Sequence, residues 1–204
     1  MKTESEIKYS LRGVEDHRKL VGPGGLQESR GLERQENYYL DTLDLRLSRE
    51  RAMLRIRNLA QGGSLLTLKR GSEIEAGYFR SSELESPLPP GSLAGILESP
   101  PTLYQMDLAP VGELRSRFGE LPLRVIGTLV NERRLFQSGG FLVEVDRISF
   151  PDGSEEYEVE VETETPAVAR KWLESEFRRL GVNAAPSRET KFARLLRWLS
   201  TRLT

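Results

Sequence analysis

The sequence predicts an α+β fold in which an antiparallel sheet closes into a barrel with a charged interior and amphipathic helices outside. Three observations predict it. Charged and apolar residues alternate with a period of two in segments spread along the chain: Glu4-Ser-Glu6-Ile-Lys8, Leu54-Arg55-Ile56-Arg57, Leu66-Thr67-Leu68-Lys69, Glu83-Leu84-Glu85, Val143-Glu144-Val145-Asp146 and Glu158-Val159-Glu160-Val161-Glu162. Such alternation puts successive side chains on opposite faces of a strand. The segments also tend to carry one sign each. Arg46, Arg49, Arg51, Arg55, Arg57, Lys69 and Arg70 surround the single acid Glu50, whereas residues 141–165 set Glu144, Asp146, Asp152, Glu155, Glu156, Glu158, Glu160, Glu162 and Glu164 against Arg147 alone. Finally, the C-terminal third carries apolar residues at helical spacing.

An antiparallel sheet with one wet face accounts for alternation by itself. It does not account for polar positions that are almost all charged. Like charges two apart on one strand face repel unless opposite charges lie near. A barrel with its charged faces turned inward brings the acidic strands opposite the basic ones, because interior and exterior positions alternate on every strand. Leu54, Ile56, Leu66, Leu68, Val159 and Val161 then share the apolar exterior.

The remaining elements supply the cover for that exterior. A short helix is expected over Val14–Val21, ended by the breaker Gly22-Pro23-Gly24-Gly25. Pro89-Pro90-Gly91 and Pro100-Pro101 punctuate a loop-and-helix insertion running to about Gly119, with Leu114 and Phe118 one turn apart. Thr165-Pro166 reads as an N-cap followed by proline at the first helical position, with Gly181 as the stop. In that helix Val168, Trp172, Leu173, Phe177 and Leu180 are expected to form the buried stripe. A last helix is expected from near Ser187, with Phe192, Leu195, Leu196 and Leu199 buried. No solenoid-length repeat or low-complexity linker interrupts the 204 residues, so residues 1–204 are read as a single domain.

Composition narrows the chemistry. The chain has 30 Lys+Arg against 31 Asp+Glu, a formal net charge of −1, which excludes the outward basic excess of a DNA-binding surface. With 37% hydrophobic residues it can build a core. It has no cysteine, and its one histidine is His17, so thiolate chemistry and histidine metal clusters are excluded. No apolar run of membrane-spanning length and no signal-peptide h-region are present, so a cytoplasmic protein without a membrane partner is expected. Carboxylates, lysines and arginines must do the work.

The order Glu4-x-Glu6-x-Lys8, Tyr38-Tyr39-Leu40-Asp41-Thr42, Leu54-Arg55-Ile56-Arg57, Leu68-Lys69, Arg133, Asp146, Glu158-x-Glu160-x-Glu162 and Lys191 resembles the CYTH superfamily, the triphosphate tunnel metalloenzymes. The resemblance implies a closed eight-stranded antiparallel barrel, a charged tunnel and divalent-metal chemistry on triphosphates. It implies that Glu4, Glu6 and Lys8 are catalytic. It places Lys8, Arg55, Arg57, Lys69, Arg133 and Lys191 on the phosphates, and Glu4, Glu6, Asp146, Glu158 and Glu160 on the metal. Glu83, Glu85, Glu144 and Glu162 match further acidic tunnel positions. The tyrosine motif departs by carrying Leu40 before Asp41, and it serves the fold.

The chemistry of these residue types agrees with that reading. Mg²⁺ or Mn²⁺ takes hard oxygen ligands such as paired carboxylates. A triphosphate is held by charge-assisted, often bidentate hydrogen bonds from Lys and Arg. Phosphoryl transfer mainly requires positioning and charge stabilisation. The expected function is hydrolysis of the terminal phosphate of a small triphosphate, inorganic triphosphate being the simplest; a class IV-type adenylate cyclase and a non-catalytic polyphosphate- or nucleotide-binding module are the alternatives. Other charged and aromatic residues carry plainer expectations. Arg46, Arg49 and Arg51 are surface residues, Glu155, Glu156 and Glu164 are solvated, His17 is exposed, and Trp172 and Trp198 pack in the core.

Overall fold

A computed structural model describes residues 2–201. Eight strands form the barrel: β1 (Lys2–Leu11), β2 (Ser29–Asp41), β3 (Ala52–Leu59), β4 (Ser64–Glu75), β5 (Tyr78–Pro87), β6 (Arg124–Ser138), β7 (Phe141–Ser149) and β8 (Glu155–Glu162). Around the barrel the order is β5-β4-β3-β2-β6-β7-β8-β1, every neighbour antiparallel, and pairing of β1 with β5 closes it. Closure removes the open edges of the sheet, and it makes inside and outside an absolute distinction on each strand. A short β9 (Ala184–Pro186) pairs with Tyr9–Leu11 beyond the reach of β5.

The period-two reading holds. Leu54, Ile56, Leu66 and Leu68 point outward into one apolar cluster, and Val159 and Val161 into another, all at 1% exposure or less. Helices α2 (Arg46–Arg49), α3 (Leu93–Glu98) and α4 (Ala109–Phe118), with the 3-10 turn Pro100–Gln105, cover the first cluster. Helices α1 (Val14–Val21) and α5 (Pro166–Leu180) cover the second. Each buried aliphatic side chain contributes roughly 1.5–3 kcal/mol, so stability resides outside the barrel wall and the interior is free to be polar. None of the helices among the described residues is long and apolar enough to cross a membrane.

Helix α6 (Lys191–Ser200) behaves differently. It lies over one end of the barrel, where Leu195 is buried with Tyr39, Leu129, Ile148 and Phe150, and Phe192 stacks on Tyr39 at 5.0 Å. Thr190 caps it, its hydroxyl accepting from the Ala193 amide at 3.1 Å. The sequence signals place the start near Ser187; the cap at Thr190 is the true boundary, and β9 occupies the approach.

Three expectations about the cover are corrected. Val168 is 60% exposed, because α5 meets the barrel through Ala169, Leu173 and Phe177, a stripe centred one position further along. His17 is buried at 9% exposure, its ring 5.2 Å from that of Tyr157, and burial lowers its pKa. Glu156 is half-buried and pairs with Arg194 and Arg197, so it is not merely solvated. Arg46, Arg49, Arg51 and Glu164 are exposed as expected, whereas Glu155, expected to be only solvated, accepts from Arg147 at 2.8 Å and from the Tyr157 hydroxyl. Trp172 and Trp198 pack against Phe141 and Phe150.

Candidate functional site: a charged lumen

The inward side chains of the barrel enclose a cavity of about 720 Å³. Lys2, Glu85 and Glu162 rim it where β1 begins and β5 and β8 end; Arg51, Ser72 and Ile74 line it toward the opposite ends of the strands. Glu4, Glu6, Lys8, Arg55, Arg57, Lys69, Glu83, Glu144, Glu160, Arg133 and Lys191 all line the same space. Asp146 and Glu158 lie in its wall at 0% exposure.

Register explains the grouping. Lys8 pairs with Glu160, Glu144 also with Glu160, Asp146 with both Arg133 and Glu158, and Lys69 with Glu83. On a closed barrel these pairs share the inner face. The backbone of Lys8 is itself pinned, its N–H donating to the Gly77 carbonyl at 2.8 Å and its carbonyl accepting from the Ser187 amide at 3.0 Å. Gly77, at φ 82°, is required there: a Cβ would meet the Lys8 carbonyl oxygen at 2.8 Å.

The acidic wall is thoroughly paired. Arg133 grips Asp146 with two hydrogen bonds, at 2.9 and 2.7 Å, and reaches Glu160 at 2.6 Å and also Glu144. Lys191 sits among Asp146 (2.8 Å), Glu160 (2.7 Å) and Glu158. Lys8 bridges Glu6 at 2.9 Å and Glu160 at 2.6 Å. Lys69 joins Glu83 at 3.0 Å and Glu4. At the rim Glu85 accepts from Thr67 at 2.8 Å, and Glu162 meets Lys2 at 2.7 Å.

Electrostatics follow from this pairing. Burial alone would raise the carboxyl of Asp146, but Arg133 and Lys191 pull it down to about 2. Burial is likewise overcome at Glu160, held well below the usual range by Lys191, Lys8 and Arg133. Burial prevails at Glu144, pushed up to about 8 with Glu160 and Asp146 adding to it, and it raises Glu158. Burial would lower Lys8 and Lys191, yet the carboxylates around them hold both ammonium groups up.

The basic wall is different, and here the sequence expectation is corrected. Alternation implies that facing strands satisfy both sets of charges; they satisfy the acids and Lys69 but leave Arg55 and Arg57 without an ion pair. Arg55 is 7% exposed, makes no side-chain hydrogen bond or ion pair among the described residues, and has a buried Nε without a partner. Arg57 donates only a long bond, 3.4 Å, from Nε to the Asn37 Oδ1. Its pKa falls to about 10, chiefly through burial, then through Arg55 and Arg133. Two guanidinium groups, Arg55 buried and Arg57 partly so, are withdrawn from bulk water without an ion pair among the described residues, a costly arrangement for a fold alone.

The site also contains residues that the sequence reading missed. Arg194, on α6 one turn beyond Lys191, is 6% exposed and binds Glu156 at 2.9 Å and Glu158. Its signal was the spacing from Lys191 and its place beside Leu195 on an otherwise apolar face. Gln35, Asn37, Asn131 and Thr67 are buried inward amides and a hydroxyl, and Asn131 donates to Gln35 at 3.2 Å. Gln35 and Asn37 share the parity of Tyr39, which marks them as lumen residues.

Carboxylate oxygens of Asp146, Glu158 and Glu160, all buried, lie within 4.8 Å of one another and are hard donors of the kind a divalent cation takes; the Lys191 ammonium stands among them. Glu4 and Glu6, assigned to the metal from sequence, stand apart from this trio on β1; Glu6 is tied to Glu160 through Lys8.

Solved structures share this architecture. A proposed adenylyl cyclase from Hippeastrum, reported to have a dominant triphosphatase activity, superposes with a TM-score of 0.87 at 23% identity over 96% of each chain. A proposed adenylate cyclase from Bacillus halodurans gives 0.71 at 24% identity, over 95% of this chain and 98% of that one. At these identities the likeness is one of fold. No curated protein matches in sequence. The model of the CYTH domain matches residues 2–196, the whole barrel and most of α6, and the chain belongs to the CYTH family.

Proposed function

We propose that the chain is a divalent-metal-dependent triphosphatase that removes the terminal phosphate of a small triphosphate, with inorganic triphosphate the leading substrate. The unpaired Arg55 and Arg57 opposite a carboxylate wall carry this reading. A fold that needed only internal neutrality would pair these arginines as it pairs Arg133. Left bare in a cavity, they supply bidentate donors for a polyanion.

In this reading the phosphates lie against Arg55 and Arg57, with Lys8 and Lys69 contributing charge from the neighbouring walls. Asp146, Glu158 and Glu160 would hold Mg²⁺ or Mn²⁺, and Glu4 and Glu6 would supply further carboxylate ligands from β1. When bound, the cation screens charge on phosphate oxygens and lowers the pKa of an attached water. The arginines orient the anion in line with the carboxylate wall and stabilise charge as it moves to the leaving group. Lys191 reaches the same region from α6, whose Phe192, Ala193 and Leu196 also line the lumen.

The test is product analysis. Triphosphate, ATP, thiamine triphosphate and long-chain polyphosphate are offered with Mg²⁺ or Mn²⁺. Orthophosphate released from triphosphate, abolished by chelator and reduced at saturating substrate in Glu4→Gln and Glu6→Gln, is the expected result. Pyrophosphate with cyclic AMP would make the chain a cyclase, and tight binding without turnover would make it a binding module.

A further inference from the structure

Arg194 occupies a position that the proposed chemistry does not use. Its guanidinium lies behind the acidic wall, between Glu156 and Glu158 on the same face of β8. The two oxygens of Glu158 are divided: Oε2 takes the hydrogen bond from Arg194 Nη2, while Oε1 is ion-paired with the Lys191 ammonium, a cation that also meets Asp146 and Glu160 and so marks where positive charge sits among the three carboxylates. We propose that Arg194 is a positioning residue that clamps one oxygen of Glu158 so that the other is presented, in fixed orientation, as a single ligand to a divalent cation.

Three observations carry the proposal. Glu158 is 0% exposed, so no solvent can orient it. Arg194 is anchored at its other end by Glu156 at 2.9 Å, which makes the guanidinium a two-point clasp and not a mobile counter-ion. The same helix delivers Lys191 to the trio, so α6 sets both the charge and the geometry of the acidic wall. A partner that fixes the orientation of a ligating carboxylate typically changes metal affinity by about 10–100-fold.

This inference rests on the metal-dependent reading above, and its test separates the two. Binding of Mn²⁺ to the metal-stripped full chain is followed by the electron paramagnetic resonance signal of free Mn²⁺, without substrate. Coulomb's law alone says that deleting a nearby cation tightens Mn²⁺ binding; loss of orientation weakens it, so the sign decides. Arg194→Ala is expected to weaken Mn²⁺ binding about tenfold, while the KM for triphosphate at saturating Mn²⁺ changes little. Arg194→Lys keeps the charge that helps dock α6, but its ammonium cannot span Glu156 and Glu158, so binding weakens in the same direction by a smaller factor. Arg197→Ala removes a charge that pairs with Glu156 and Glu189 but not Glu158, and Mn²⁺ affinity stays at the wild-type value. Hydrogen exchange of the α6 amides reports docking in each variant. Unchanged or tighter binding in Arg194→Lys with α6 protected overturns the positioning role. Absence of Mn²⁺ binding by the wild type overturns the metal reading itself.

Discussion

Arg55 and Arg57 are the residues at which stability and function part company. Burying like charges side by side without an ion pair to either costs the unliganded fold, and burial has already brought Arg57 down to about 10. Replacing either by Gln removes that charge and keeps an amide able to hydrogen-bond. Arg55→Gln and Arg57→Gln are therefore expected to raise the unliganded unfolding midpoint, by about 2–4 °C for each ~1 kcal/mol of relief in a chain of this size. The same changes are expected to lower kcat/KM for triphosphate by on the order of 10–100-fold, the value of about 1.5–3 kcal/mol in lost charge-assisted hydrogen bonds. Thermal melts and steady-state kinetics on the same preparations check the pair of outcomes. A variant that loses activity and stability together would make these arginines structural. Sequence alternation shows that both point inward; it cannot show that Asn37, not a carboxylate, stands beside Arg57, because that depends on which strands become neighbours.

At the scale of elements, the tyrosine motif illustrates how a fold-serving segment places the site. The carboxylate of Asp41, at 0% exposure, accepts from the amides of Thr42 (2.7 Å), Leu47 (2.8 Å) and Ser48 (2.9 Å), and from the Ser48 hydroxyl (2.6 Å). It thereby ties the end of β2 to α2, the turn from which β3 departs with Arg55 and Arg57. Asp41→Ala leaves several buried donors without acceptors and is expected to cost about 3 kcal/mol, given roughly 1–3 kcal/mol for each such group. Asp41→Asn, which retains one carbonyl oxygen, should lose less. Urea unfolding of the two variants checks the order, and equal losses would show that the capping bonds are not what matters. Elements with strong periodicity are legible in the sequence: the strands β1, β3, β4, β5, β7 and β8, and the helices α1 and α5. Elements defined by capping or by a distant partner are not. The three-residue β9 has no periodicity to read, since it exists only because Tyr9–Leu11 extends beyond the end of β5. The stripe of α5 is displaced because helical spacing fits Val168 and Ala169 almost equally well; contact with β1 selects Ala169.

For the molecule as a whole, a net charge of −1 describes two compartments, not a neutral surface. Strand parity assigns each charge to the lumen or to solvent, which is why most of the candidate site is legible in the amino-acid sequence. What parity cannot assign is a residue that enters from outside the barrel, and Arg194 escapes it for that reason. The lumen's imbalance is local: acids matched by Lys8, Lys69, Arg133, Lys191 and Arg194, with Arg55 and Arg57 unmatched. A ligand that supplies the missing anion must therefore stabilise the native barrel by mass action. At a hundredfold excess over its Kd the gain is about 2.7 kcal/mol, which corresponds to a rise in unfolding midpoint of roughly 5–10 °C. Inorganic triphosphate with Mn²⁺ is expected to produce such a rise in the wild type within the time of a melt, most clearly in a slow-turnover variant such as Glu6→Gln. In Arg55→Gln/Arg57→Gln the unliganded midpoint starts higher and the triphosphate-dependent rise disappears. Differential scanning fluorimetry with triphosphate, sulfate and buffer alone distinguishes this from a general effect of ionic strength. An equal rise in the double variant would mean that the anion binds elsewhere, and the unmatched arginines would no longer explain what the barrel is for.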